Sequence, residues 1–326
     1  MQNVTGIHHV TAISGDPQET VDFYVGTLGL RLVKRSVNQD VPDTYHLFFA
    51  DGEGHPGTDI TFFPWPSMGP KRRGVGLWDE IYLTIPPGSI DWWTERLRAA
   101  GGSAGSVRAT VGEREERFGE AVLPFEDPHG MSLALIEAEN YDGFDFTPWP
   151  ESPVPEDKQI RSLGGARLLQ RRAEPTEGFL SGAFGFREEA QENGWTRYVV
   201  GEGKSGQRIE MKAVPEERRG QWGVGAVHHV AWRVPAAREQ LEVRTQVMSA
   251  GRPPTEVIDR FWFKSVYVME PGGALCEVAT DGPGFSVDED MARLGESLVL
   301  PDWLEPDRKA IERALPTIEL PAGAQR

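Results

Sequence analysis

The sequence contains a single cysteine, Cys276, among its 326 residues. One cysteine cannot form an intrachain disulfide, and such a composition is typical of a reducing compartment. No stretch of 18 consecutive apolar residues occurs, so no membrane-spanning helix is expected. Residues 1–5 have neither the basic start nor the apolar run of a signal peptide. These absences predict a cytoplasmic protein without a membrane partner.

Basic residues are also scarce. Lysine and arginine together number 34, against 50 aspartates and glutamates, which gives a net charge of −16. A chain this acidic repels nucleic acid and anionic membrane surfaces, and the short basic run at residues 71–73 is too small to offset the repulsion. The sequence therefore predicts no nucleic-acid partner, and it leaves open whether the chain forms a homo-oligomer.

A strand–helix–three-strand pattern recurs four times along the chain. In the first unit Asp16 and Pro17 predict a helix start, and Gly29 predicts its end. The predicted strands of this unit are residues 7–13, 30–36, 45–49 and 58–63. The second unit has strands at 80–85, 105–110, 117–123 and 131–137, and a helix at 89–100 closed by glycines 101 and 102. The third unit has strands at 166–170, near 184, at 196–200 and 208–213, and a helix at 176–183. The fourth has strands at 227–234, near 255, at 263–269 and 274–279, and a helix at 235–250.

The repeat predicts an α+β fold of four βαβββ modules whose curved, mixed sheets form cup-shaped half-barrels in two domains. A proline-rich linker separates the domains, and an acidic tail with a short helix at 306–314 follows them. The predicted segments are an N-terminal domain at 1–139, the linker at 140–162, a C-terminal domain at 163–280 and the tail at 281–326. A further hypothesis is that the tail closes over the pocket.

Each module has two positions that face the inside of its cup, one in the first strand and one in the last. These positions are His9 and Thr61 in the first module, Glu80 and Ala134 in the second, Gly164 or Gly165 and Glu210 in the third, and His229 and Glu277 in the fourth. Two histidines and one glutamate from three strands are the ligand set of a facial triad that leaves coordination positions open. The pattern predicts one metal site, made by pairing the first module with the last.

Several neighbouring residues allow two interpretations. Because side chains alternate along a strand, His8 and His228 are expected on the opposite face from the predicted ligands, where they either support the ligands or pack between sheet and helix. His46 is a candidate for the pocket or a structural strand residue. Arg260 and Tyr267 either stabilise an anionic intermediate and move a proton, or belong to ordinary strand packing. Cys276 points away from the cup and is interpreted as a packed, inert thiol.

These residues resemble the vicinal oxygen chelate superfamily, which includes glyoxalase and bleomycin-resistance proteins, and within it the ring-cleaving dioxygenases of the hydroquinone type. The resemblance covers nearly the whole chain. It rests on the segments 6–11 (GIHHVT), 31–38 (RLVKRSVN), 45–51 (YHLFFAD), 55–58 (HPGT), 227–229 (VHH) and 271–273 (PGG), on Glu277, and on residues 284–285 (GF) and 288–290 (DED). Residues 261–263 (FWF) are bulkier than the pattern of close relatives, which leaves the substrate open.

The resemblance implies an extradiol-type dioxygenase that opens a dihydroxylated aromatic ring with O2 as co-substrate. The implied metal is Fe(II), with Mn(II) as an alternative, held by His9, His229 and Glu277. The implied supporting residues are His8, Thr11, His228, Arg260 and Tyr267. The substrate would be a small aromatic diol, either a hydroquinone, substituted or not, or a catechol.

Two other classes of function remain open. A glyoxalase-like isomerase or a thiol transferase uses a metal with a fuller ligand set, and Thr61 stands where such a site would have another ligand. A non-catalytic resistance protein that binds a small aromatic would need no metal.

Overall fold

Seventeen strands and five α-helices make up the part of the chain that the structure, a computed structural model, describes: residues 3–100, 108–138 and 145–320. The strands are β1 Ile7–Ser14, β2 Arg31–Asn38, β3 Val41–Ala50, β4 Asp59–Pro64, β5 Trp78–Ile85, β6 Thr110–Val111, β7 Glu115–Arg117, β8 Glu120–Glu126, β9 Ser132–Glu137, β10 Ser162–Gln170, β11 Arg187–Glu192, β12 Trp195–Val199, β13 Arg208–Ala213, β14 Val227–Val234, β15 Ile258–Asp259, β16 Lys264–Met269 and β17 Leu275–Thr280. The helices are α1 Pro17–Val21, α2 Ile90–Ala100, α3 Glu174–Phe179, α4 Ala237–Ser249 and α5 Arg308–Ala314. Within these ranges no helix is both long and apolar enough to cross a membrane.

The strands form two curved mixed sheets. One sheet has the order β15-β16-β17-β14-β1-β4-β3-β2, and the other has β11-β12-β13-β10-β5-β9-β8-β6, with β7 paired to β8. The first sheet thus joins the first module to the fourth through the antiparallel pair β1 and β14. The second joins modules two and three through β5 and β10. The predicted α+β fold is confirmed.

Each sheet takes strands from both sides of the predicted linker. The described part of this linker packs against the core through Trp149, Val154 and Ile160, which are all buried. Residues 139–144 lie outside the described ranges, and the domain limits 1–139 and 163–280 remain a prediction.

The first helix begins as the sequence predicts. The Asp16 carboxylate accepts hydrogen bonds from the backbone N–H groups of Gln18 and Glu19, at 2.8 and 3.0 Å, and Pro17 occupies the first turn. The helix widens into a π-helical turn over Asp22–Thr27 and ends before Gly29, whose φ is 73°. A left-handed φ of this kind favours glycine, so the chain reverses there into β2.

Three predicted strands differ from the structure. Residues 117–123 do not form one strand, because Phe118 and Gly119 have φ angles of 51° and 79° and make the turn between β7 and β8. The strand predicted near 184 begins only at Arg187, after a π-helical turn over Leu180–Phe184. The strand predicted near 255 is the short β15. Most of the strand predicted at 105–110, and the glycines at 101 and 102, lie outside the described residues.

The tail covers the open edge of the first sheet. Val299 N–H donates to the carbonyl of Arg35 on the edge strand β2, at 2.9 Å. Lys34, which is fully buried, donates from Nζ to the Phe285 carbonyl at 3.0 Å and to Asp288 at 2.7 Å, and also pairs with Glu289. An unpaired strand edge is a template for aggregation, and this tail protects it.

Candidate metal centre

The three predicted ligands meet inside the cup of the first sheet. His9 lies on β1, His229 on β14 and Glu277 on β17, and all three are buried. Their ligand atoms form a triangle: His229 Nε2 is 2.9 Å and His9 Nε2 is 3.4 Å from Glu277 Oε2, and the two nitrogens are 3.4 Å apart. Among the described residues these three could hold a metal ion together.

The triangle fits a metal ion. Neighbouring ligands on one face of an octahedron, each about 2.1 Å from the ion, are separated by about 3 Å. Imidazole nitrogens and a carboxylate are a donor set that non-haem iron accepts. Burial alone would raise the pKa of the Glu277 carboxyl, but the charges and hydrogen bonds of His9 and His229 hold this pKa well below its usual range. The carboxylate is therefore ionised, as a ligand must be.

Two β-bulges set the orientation of the histidines. Ile7 pairs with Trp232 and His9 with Ala231, so His8 is an extra residue in β1. Thr11 pairs with His229 and Ala12 with Val227, so His228 is an extra residue in β14. The expectation that His8 and His228 face away from the predicted ligands is wrong, because the bulges interrupt the alternation of side chains.

Each extra histidine contacts the next one in the chain. His8 Nδ1 is 2.9 Å from His9 Nδ1, and His228 Nδ1 is 2.8 Å from His229 Nδ1. His8 Nε2 lies 3.1 Å from the Thr280 carbonyl, which can only accept, so Nε2 carries the proton. Burial, and then the charge of His9, lower the pKa of His8 well below its usual value, so its ring is neutral. His8 Nδ1 must then accept from His9 Nδ1–H, which leaves the lone pair of His9 Nε2 directed at the centre.

Replacing His8 with phenylalanine should weaken metal binding by about ten- to a hundredfold, because such outer contacts fix the tautomer and the ring orientation of a ligand. Titration of the purified variant with Fe(II) under nitrogen would measure this loss. His55→Gln is a suitable control, since His55 pairs with Asp51 outside the ligand cluster. Equal affinities for the parent and His8→Phe would contradict the orienting role.

The position where the repeat would place a fourth metal ligand carries a threonine, whose hydroxyl belongs to a hydrogen-bond network. Thr61 on β4 matches Glu277 in the repeat, and its Oγ1 is 2.8 Å from both Thr11 Oγ1 and His46 Nε2. On the other side, Ser265 donates to Glu277 Oε1. Ser265 was not predicted from the sequence, because nothing in its spacing distinguishes it from other strand serines.

A cavity of about 40 Å³ adjoins the triangle. Its walls include the aromatic side chains of Phe48, Phe63, Trp262, Phe263 and Tyr267. This volume is far below the ~300 Å³ at the lower end of small-molecule sites. An aromatic ring therefore enters only if side chains at the mouth move.

Arg260 and Tyr267 both line this cavity. The Arg260 guanidinium lies 5.5 Å from the Tyr267 ring centroid and forms an ion pair with Asp40, at 2.9 Å, across the mouth. Burial, and then the charge of Glu277, raise the pKa of the Tyr267 hydroxyl, which therefore stays protonated as a donor. The C-terminal tail contacts the cavity through one of its lining residues, because Trp262 Nε1 donates a hydrogen bond to Asp288 at 3.0 Å. The lining residues all belong to modules one and four.

In the second sheet, the glutamates at the matching positions are paired with arginines. Glu210, which is fully buried, accepts from Arg167 at 2.8 Å, Arg197 at 2.7 Å and Tyr82 at 2.7 Å. Glu80 pairs with Arg117. With its oxygens taken by cations, Glu210 is a structural ion-pair residue.

Removing this carboxylate should destabilise the protein. Glu210→Ala removes the nearest carboxylate from two buried guanidinium groups, which keep only Glu120, 2.8 Å from Arg197, and Glu80, 3.8 Å from Arg167. The expected cost is up to about 3–5 kcal/mol in the free energy of unfolding. Burial opposes ionisation of Glu210, but the charges of Arg167 and Arg197 bring its pKa below the usual 4.5. A lowered pKa contributes stability above pH 4.5 that is lost as the pH falls through the folded-state value. In urea unfolding, the difference between the parent and Glu210→Gln should therefore shrink below about pH 4, and a constant difference would contradict the ion-pair assignment.

Known proteins share this architecture. A family model described as glyoxalase/bleomycin resistance protein/dioxygenase superfamily matches residues 6–135. Over 315 residues, 97% of both chains, the sequence is 41% identical to the "Putative ring-cleaving dioxygenase MhqO" of Bacillus subtilis strain 168. This chain belongs to the glyoxalase/bleomycin resistance protein/dioxygenase superfamily.

Further comparisons agree with this placement. The chlorohydroquinone/hydroquinone 1,2-dioxygenase of Sphingobium indicum is 33% identical over 314 residues, 93% of this chain and 94% of that protein. A crystal structure titled "putative dioxygenase", from Bacillus subtilis, superposes with a TM-score of 0.90 at 39% identity, over 98% of this chain and 99% of that one. Glyoxalase I from Zea mays shares the fold alone, with a TM-score of 0.62 at 14% identity over 85% and 92% of the two chains. The family predicted from the sequence is thus confirmed.

Proposed function

We propose that this protein is an Fe(II)-dependent dioxygenase that opens the ring of a hydroquinone or substituted hydroquinone with O2. The observation that carries the proposal is the buried triangle of His9, His229 and Glu277 beside an aromatic-walled cavity. Three protein ligands leave positions for a substrate and for oxygen, as catalytic sites require. Mn(II), which accepts the same donors, is the alternative metal. The relatives named as ring-cleaving dioxygenases support this class of reaction.

The aromatic lining of the cavity supports an aromatic diol as substrate. Once side chains at the mouth have moved, a flat ring can pack against Phe63, Trp262 and Phe263, because offset and edge-on aromatic contacts are favourable. When bound, the metal would lower the pKa of a substrate hydroxyl and bring O2 beside the ring. The aromatic walls keep bulk water away and so strengthen the electrostatic interactions inside the site.

Arg260 and Tyr267 are proposed to act on the reacting oxygens. A guanidinium and a protonated phenol that line the cavity can donate hydrogen bonds to a developing oxyanion. Tyr267 can also return a proton to it. Since Arg260 is paired with Asp40 across the mouth, the same side chain would open the cavity and stabilise charge within it. His8, His228 and Thr11 are proposed to orient the ligands and the adjacent hydroxyl network.

The cleavage is proposed to be of the extradiol type. In a para-diol the two hydroxyl-bearing carbons are not neighbours. Any bond that is cut next to a hydroxyl therefore carries a hydroxyl at one end only, which is the extradiol pattern. A relative named for 1,2-cleavage of hydroquinone is consistent with such a bond. Both atoms of O2 enter the product, so no external reductant is needed.

Oxygen uptake tests the proposal. Purified protein would be loaded with Fe(II) under nitrogen, mixed with O2 and offered hydroquinone, methylhydroquinone or catechol. We expect one O2 consumed for each hydroquinone and a new ring-opened product absorbing in the visible range, with neither in His9→Ala. Fe(II) binding without uptake on any diol would overturn the proposed reaction, and no metal binding would overturn the ligand set.

A further inference from the structure

His46 faces the same cavity as His9 and His229. It lies on β3, and its ring is held between Phe48 and Phe63, with centroid distances of 3.9 and 4.4 Å. Its Nε2 is fixed 2.8 Å from Thr61 Oγ1. Two aromatic neighbours and one hydrogen bond set the orientation of this imidazole, as expected for a residue that meets a ligand.

The repeat shows what this position does in the other half of the site. Phe48 pairs with Thr61 between β3 and β4, and Tyr267 pairs with Glu277 between β16 and β17. Phe48 and Tyr267 therefore occupy matching positions in the two modules. His46 lies two residues before Phe48, and Ser265 lies two residues before Tyr267, so His46 corresponds to Ser265. In the fourth module the serine holds the carboxylate of Glu277, whereas in the first module a histidine holds the smaller Thr61. The larger ring remains exposed to the cavity.

One ring nitrogen of His46 is available to a ligand. Within the described chain Nε2 is bonded to Thr61, and Nδ1 has no hydrogen-bond partner. Burial, and then the charges of His9 and His229, lower the pKa of His46 well below its usual value, so the ring is neutral. A neutral imidazole has one donor and one acceptor nitrogen, and a hydroxyl can pair with either. His46 is also not one of the three residues whose ligand atoms form the metal-binding triangle.

We propose that His46 Nδ1 binds the substrate hydroxyl that the metal does not hold. This inference rests on the proposed function, since it requires a ring with two hydroxyls. One hydroxyl oxygen of the substrate would bind the metal, and the second would form a hydrogen bond with His46. The aromatic side chains of the cavity would pack against the faces of the ring. His46 would then distinguish a diol from a phenol with a single hydroxyl, because a bound phenol would cover Nδ1 without giving it a hydrogen-bond partner.

Two isosteric substitutions separate this role from a structural one. In His46→Asn the amide stands near the position of Nδ1 and cannot reach Thr61. In His46→Gln the amide reaches Thr61 and leaves the Nδ1 position empty. A structural histidine would be replaced better by glutamine, and a substrate-binding histidine by asparagine. Thermal unfolding of both variants would show that each is folded before binding is compared.

The measurement is calorimetric titration of the Fe(II)-loaded protein under nitrogen with hydroquinone and with phenol. In the parent we expect hydroquinone to bind about tenfold more tightly than phenol, the size of one net hydrogen bond. His46→Asn should keep this ratio, and His46→Gln should bring it close to one. Suppose that the parent consumes O2 with hydroquinone and that His46→Gln still binds hydroquinone about tenfold more tightly than phenol. This result would overturn the inference about His46 but not the proposed function. A parent that binds neither compound and consumes no O2 would overturn the proposed function as well.

Discussion

Glu277→Ala should lose Fe(II) binding and oxygen uptake together, each by more than about a hundredfold. Residues that only orient a ligand contribute about ten- to a hundredfold, and a ligand contributes more. Glu277 also supplies the one negative charge of the triangle, and its carboxylate is fully buried between two imidazoles. Iron content after gel filtration and O2 uptake with hydroquinone would measure the two losses.

Glu210→Gln is the matched control. Glu210 is also a fully buried glutamate, on the last strand of the third module, but it pairs with arginines. This control should therefore bind Fe(II) as the parent does. If Glu277→Ala kept its iron, or if both variants lost iron equally, the assignment of Glu277 as a ligand would be wrong.

Truncation after Gly282 should destabilise the protein by at least about 3–5 kcal/mol, the usual cost of leaving one buried charge without its partners. Buried apolar side chains of the tail, such as Leu294 and Leu300, would be lost as well. The three acceptors of the fully buried Lys34 ammonium, namely the Phe285 carbonyl and the carboxylates of Asp288 and Glu289, would all be removed. Trp262 would also lose its hydrogen bond to Asp288, so the cavity wall would loosen. Urea unfolding followed by tryptophan fluorescence measures the loss, and O2 uptake reports its effect on the site.

Lys34→Met tests the cause of this loss. In the truncated chain the substitution removes the unpaired ammonium and should restore part of the stability. In the full chain it leaves Asp288 and Glu289 without a cation and should reduce stability. The opposite signs of the two effects on stability would show that the tail stabilises the protein through the charge pairing of Lys34 with Asp288 and Glu289, and not only through buried contact area. A truncated protein as stable as the parent would contradict a stabilising role for the pairing of Lys34 with the tail.

The internal repeat made the ligand triangle predictable. His9 and His229 stand at the same place in matching strands, and Glu277 stands where the first module has Thr61, so one alignment within the chain selected all three. The pairing of the first module with the last followed from the same comparison, and the sheet order confirms it. Their function as metal ligands stays a prediction until metal binding is measured.

Other features depend on contacts that no local pattern encodes. The bulges at His8 and His228 arise from the register between β1 and β14, which are more than two hundred residues apart, so alternation along each strand gave the wrong face. The partner of Arg260 is Asp40, in the turn between β2 and β3. Lys34 belongs to a basic segment that looks exposed in the sequence. Its partners Asp288 and Glu289 lie in the tail, far along the chain, so no local pattern shows that its charge is paired.

The pairing of the first module with the fourth also has a consequence for synthesis on the ribosome. Strand β1 forms one edge of a half-built sheet until β14 is made, because its antiparallel partner lies near residue 230. During that interval the nascent chain exposes an apolar strand, which invites pairing between chains. The metal-binding triangle can close only after Glu277 emerges. Iron therefore cannot guide early folding, and it can only stabilise a chain that is nearly complete.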